Sequence, residues 1–174
     1  MRAGILPSII VNLPPLALTY DNGDSHMNKK IIKDLTIAYC MELETVQNYL
    51  AASVNLDGVR SDVIKKSLAA DIPVELMHAT LLANRIKTLG GVVPGSLSLQ
   101  RDQTVLQPTR ESTDVITIIK GVIHAEDGAI AQYNKIIKLC EGTDYVTQDL
   151  AIELLGEEET HRREFRGFLL EYEN

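Results

Sequence analysis

From Met27 onward, apolar residues recur every three or four positions in four blocks, the periodicity of helices that bury one face. The first block, 28–55, carries Ile31, Leu35, Tyr39, Glu42, Val46 and Tyr49 on one stripe and stops at Asp57–Gly58. The second, 62–89, carries Ile64, Leu68, Asp71, Glu75, His78, Leu82 and Ile86, with Ser61 placed to cap its start and Gly90–Gly91 to end it. The third, 113–140, carries Ile119, Ile123, Glu126, Ile130, Tyr133 and Cys140, with Ser112 or Thr113 as its cap. The fourth, 145–172, carries Ala151, Leu154, Glu158, His161, Phe165 and Phe168. No stretch alternates in the manner of strands, so the pattern predicts an all-α four-helix bundle.

The connections set the topology. Short turns at Gly58 and Gly142 force two antiparallel hairpins. Residues 91–111 have no helical period and contain two prolines. About twenty residues reach about 65 Å when extended, whereas a helix of these lengths is only about 42 Å long. The connection therefore spans the bundle, and the second and third helices run parallel. A loop this long is out of place in a simple up-and-down bundle.

Composition narrows the class. With 174 residues the chain makes one domain with a sizeable core. Its net charge of −7 argues against a nucleic-acid surface and suits a protein that attracts cations. No run of 18 apolar residues exists, so no membrane partner is expected. The two cysteines, Cys40 and Cys140, lie in different blocks without a CxxC pair, which excludes a site built of sulfur ligands and suits a reducing, cytoplasmic setting. Residues 1–26, interrupted by Pro7, Pro14 and Pro15, read as an N-terminal extension, an arm or a leader, ahead of a bundle domain at 27–174.

The chemistry lies in the middle of the stripes. Each contains a glutamate, and two contain a histidine three residues later: Glu75–His78 and Glu158–His161. Residues at i and i+3 share a helix face, so each pair offers an oxygen and a nitrogen to one point. Glu42 and Glu75 lie equidistant from Gly58, to within a residue, and Glu126 and Glu158 equidistant from Gly142. Antiparallel pairing therefore sets Glu42 level with Glu75 and Glu126 level with Glu158. Tyr49 and Tyr133 each follow their helix's glutamate by seven residues. Four buried carboxylates would repel one another and lose their hydration, so the arrangement needs positive charge between them. Two divalent metals balance four carboxylates, and a carboxylate–imidazole donor set suits iron or manganese. Asp71, one turn before Glu75, is positioned to bond His161 as the outer partner that a ligating histidine needs. Glu44, Asp127 and Glu159 read as exposed charges, and His124 as a solvated residue. Pro73 should kink the second helix just before Glu75.

At these residues the chain resembles the bacterioferritin and bacterial ferritin-like group of the ferritin-like superfamily, over residues 30–172. ELETVQNY, residues 42–49, is similar to that group's first-ligand segment, and DLAIELLGEEETH, residues 149–161, to its fourth helix. The resemblance implies a ferritin-like four-helix bundle with two iron ions per subunit. Glu42 and His78 would hold one ion, Glu126 and His161 the other, and Glu75 and Glu158 would bridge both. It also implies a homo-oligomer and a ferroxidase that oxidises Fe(II) with O2 or H2O2, storing iron if it assembles a shell. The group's haem-ligating methionine directly after the second-helix glutamate is replaced by Leu76, so no haem is expected. The chain ends thirteen residues after His161, short of the fifth helix of 24-subunit cages, which sets a dodecamer or a smaller assembly beside the 24-mer as an open alternative. Two other readings compete: a di-iron or di-manganese peroxidase or catalase of rubrerythrin type, and a metal-free helical assembly module.

Overall fold

The computed structural model describes residues 22–173. Four long helices form, α1 (Asn22–Asn55), α2 (Asp62–Thr88), α3 (Val115–Cys140) and α4 (Tyr145–Glu173), with single 3₁₀ turns at Val59–Ser61 and Ser96–Ser98. No strand occurs among the described residues, and no helix among them is long and apolar enough to cross a membrane. α1 begins at Asn22 rather than 28, so the last residues assigned to an extension belong to the first helix; 1–21 lie outside the described residues.

Backbone geometry closes the helices as the turn residues dictate. Gly90 takes φ +84°, and the Gly91 N–H reaches back to Ile86 O at 2.9 Å, a left-handed closure that a side chain at Gly90 would strain. Ser61 precedes α2 but makes no cap; its hydroxyl donates to Asp57 O instead. α3 is capped by Asp114, whose carboxylate accepts from Thr117 N, and not by Ser112 or Thr113. α2 runs helical through Pro73, which lies exposed.

One backbone hydrogen bond fixes the topology. Asp57 N donates to Ser112 O at 2.7 Å, so the far end of the crossover lies beside the α1–α2 turn. α2 leaves that turn, the crossover returns to it, and α3 starts there, parallel to α2. This is the ferritin-type arrangement of two hairpins and one crossover. The crossover is tied down along its length. Glu44 accepts from the backbone N–H of Asp102 (2.8 Å) and Gln103 (3.1 Å). Gln103 accepts from Asn48 (2.9 Å) and donates to Thr45 (2.6 Å). Leu106 is buried against Gly121 of α3, where a Cβ would sit 3.0 Å from Leu106 Cα.

The apolar core comes in two halves. One packs Leu56, Ile64, Leu68, Ile119, Val122 and Phe165; the other packs Ile31, Leu35, Leu82, Ile86, Ile136 and Leu154. Between them lies a buried polar layer: Glu42, Glu75, His78, Glu126 and Glu158. At the end of the bundle away from the α1–α2 turn, Arg85 of α2 pairs with Asp144 at the start of α4 (2.7 Å) and donates to Thr147, joining the two hairpins.

Candidate metal centre

Five of the six residues selected by spacing are 2% exposed or less, and His161 is 12% exposed on its side chain. Carboxylates removed from water this thoroughly persist only with compensation. The six fall into two overlapping groups. Glu42, Glu75, His78 and Glu158 bring one donor atom each within 4.8 Å of one another, and so do Glu75, Glu126, Glu158 and His161. Glu75 and Glu158 belong to both.

The histidines turn Nδ1 inward. His78 Nδ1 lies 2.9 Å from Glu158 and 3.5 Å from Glu75. His161 Nδ1 lies 3.2 Å from Glu75 and 3.4 Å from Glu158. These contacts are out of line for hydrogen bonds. Glu75 Oε1, both oxygens of Glu158 and both Nδ1 atoms are buried without a hydrogen-bond partner. Unsatisfied buried donors and acceptors are costly and rare in folded proteins, and five converge here. Oxygen and imidazole nitrogen converging in this way fit hard to borderline divalent ions.

Electrostatics agree. Burial first, then the charges of Glu158 and Glu75, push the Glu42 and Glu126 carboxyls well above their ordinary range. Burial opposes charge on the histidines, but their contacts with Glu158 and Glu75 overcome it and raise His78 to about 12 and His161 to about 11. The same contacts outweigh burial to hold Glu75 and Glu158 below the ordinary range. Without metal, protons compensate the layer.

The two tyrosines cross between hairpins. Tyr49 of α1 donates to Glu126 of α3, and Tyr133 of α3 donates to Glu42 of α1. Both phenols are held well above their ordinary pKa by burial and by the adjacent carboxylate, so they remain donors. Asp71 interacts with His161 through charge, and burial raises its carboxyl to about 6, but no hydrogen bond joins the two.

The outer partner that is present is Glu157. His78 Nε2–H donates to its carboxylate at 2.7 Å. Glu157 lies one residue, about 100° of helix, away from the stripe through Glu158, so face-counting passes over it. The signal available was the need of a ligating histidine for a second acceptor, set against the acidic run 157–159. Glu44, read as an exposed charge, is half-buried under the crossover. Asp127, Glu159 and His124 are exposed, with Asp127 paired to Arg162 at 2.9 Å. Leu76 and Met77 lie half-exposed.

A family model, the ferritin-like domain, matches residues 32–173. The chain is 31% identical to a bacterioferritin of Desulfovibrio desulfuricans over 137 residues, 76% of this chain and 70% of that protein. The X-ray structure of a bacterioferritin from Desulfovibrio desulfuricans, described with its di-iron site in different catalytic states, superimposes with a TM-score of 0.76 at 24% identity, covering 88% of this chain and 86% of that one. A dodecameric thioferritin, the bacterioferritin-related protein of Bacteroides fragilis, superimposes with a TM-score of 0.74 at 25% identity, covering 83% and 87%.

Proposed function

This chain belongs to the ferritin-like domain family, and on that premise we propose that it binds two iron ions per subunit and acts as a ferroxidase. The observation that carries the reading is the sharing of Glu75 and Glu158 between two donor groups. Glu42 and His78 complete one position, and Glu126 and His161 the other. Two ferrous ions held there would supply one electron each, and with two protons these would take O2 to H2O2, or H2O2 to two waters.

The residues of the chain do the rest. Glu75 and Glu158 hold the two positions together, so both electrons reach one oxidant. Tyr133 and Tyr49 fix the terminal carboxylates Glu42 and Glu126 by hydrogen bonds from the opposite hairpin. The aliphatic layers on both sides exclude water, which strengthens every charge interaction between them. The reading extends to a homo-oligomer, as the dodecameric neighbour supports, and to the cytoplasm, since Cys40 and Cys140 are free thiols.

The test is an anaerobic Fe(II) titration of metal-free protein, followed by addition of O2 and optical counting of ferric iron. Saturation at two per chain supports a di-iron centre, and oxidation continuing far beyond two adds mineral storage. Absence of iron binding overturns the reading.

A further inference from the structure

The bundle repeats itself: Glu75–His78 of α2 corresponds to Glu158–His161 of α4, and Glu42 and Tyr49 of α1 correspond to Glu126 and Tyr133 of α3. The repeat breaks directly before the second-helix glutamate. Glu157 precedes Glu158, and its counterpart before Glu75 is Val74. Glu157 accepts from His78 Nε2; Val74 has nothing to offer His161. His78 is fully buried, whereas His161 is 12% exposed, and its Nε2 has no hydrogen bond to any described residue. Asp71 acts on His161 only through space.

We infer that the two metal positions are inequivalent, that the one completed by Glu42 and His78 fills first, and that Glu157 is the positioning residue that sets this order. The inference rests on the proposed metal site. A carboxylate on Nε2 does three things to His78. It keeps a proton on Nε2, directs Nδ1 rather than Nε2 to the metal position, and prevents the ring from turning. The anion also makes the imidazole a stronger donor. His161 must find its tautomer and orientation upon binding, and the ordering cost falls on that step.

The experiment titrates Co(II), which is visible in the d–d region, under nitrogen into the metal-free full-length protein against a competing chelator. Two resolved steps are expected. Glu157→Ala should weaken the first step by about 10- to 100-fold, the range for loss of such an outer partner, and leave the second unchanged. Glu157→Gln, whose amide oxygen still accepts, should recover most of the loss. In the Co(II)-loaded wild type, proton NMR should show one hyperfine-shifted imidazole N–H that exchanges slowly with D2O, and this signal should be lost in Glu157→Ala. A purely structural role for Glu157 would not move that signal. Two equivalent steps in the wild type, or equal weakening of both steps in Glu157→Ala, overturns the inference while leaving the two-metal site intact. Fewer than two ions bound to the wild type overturns the site itself, and the inference with it.

Discussion

Tyr133, on α3, donates its phenolic proton to Glu42 on α1, so a carboxylate from one hairpin is held by the other. Tyr49 returns the bond to Glu126. The crossing links the two halves of the bundle at the level where their polar residues meet. Tyr133→Phe leaves Glu42 Oε1 without its donor in a site that water does not reach. The metal-free variant should lose about 1–3 kcal/mol, the usual cost of a stranded buried acceptor, measured from the urea midpoint at unchanged m-value.

Glu75 belongs to both donor groups, and its removal should not merely halve metal binding. Glu75→Gln is expected to abolish tight binding of both ions. In the wild type, metal at about 100 times its dissociation constant should add about 2.7 kcal/mol to stability for each ion bound. The variant should show no metal-dependent rise in Tm. If Glu75→Gln still binds one ion tightly, the sharing of this carboxylate is disproved.

The stability of the metal-free protein should fall with pH while its affinity for metal rises. His78 and His161 are raised from 6.5 to about 12 and about 11, and Glu42 and Glu126 are raised as well. The folded state therefore holds more protons than the unfolded state above pH 6.5, and stability falls as pH rises. The histidine contribution is fully present below 6.5 and that of Glu42 and Glu126 below 4.5, and each is lost as pH climbs toward its folded value. Metal must displace the same protons, so its affinity increases with pH. Urea midpoints at pH 6 and pH 9, with and without Co(II), test both signs: the metal-free midpoint should drop and the metal-induced increment should grow.

Gly121 lets the crossover approach α3, since a Cβ there would lie 3.0 Å from Leu106 Cα and 3.1 Å from Val105 O. Backbone atoms on a tied-down segment have little room to retreat. Gly121→Val should therefore destabilise by about 1–3 kcal/mol through overpacking, whereas the same change at the open Gly156 should not. Chemical denaturation of the two variants side by side makes the comparison.

Helix periodicity and turn chemistry were legible because they are local. The four blocks, the turns at Gly58 and Gly142 and the parallel course of α2 and α3 all follow from spacing and reach. The structure also draws together the six residues chosen from the middle of the stripes. What the chain did not disclose depends on partners distant in sequence. Glu44 looked like a surface charge because the amides of Asp102 and Gln103 that it binds lie across a loop. Glu157 was passed over because an outer partner need not share the face of the ligands. Asp71 was preferred for sharing that face, yet a common face does not supply the distance and angle that a hydrogen bond requires. At α3 three neighbouring residues could have capped the helix. Asp114 does so because the turn aims its carboxylate at Thr117 N, a matter of backbone direction rather than residue type.

The polar layer that divides the core also reverses where the bundle is weakest. In an ordinary helical bundle, amides in the central turns are the last to exchange with solvent, and the ends fray first. Here the central turns of α2 and α4 flank a seam of buried polar groups, five of whose atoms have no hydrogen-bond partner, and apolar packing is concentrated above and below it. Metal-free protein should open at its waist, with two protected caps hinged about an exchanging middle. Loading the centre closes that waist, and the bundle then behaves as a single cooperative unit.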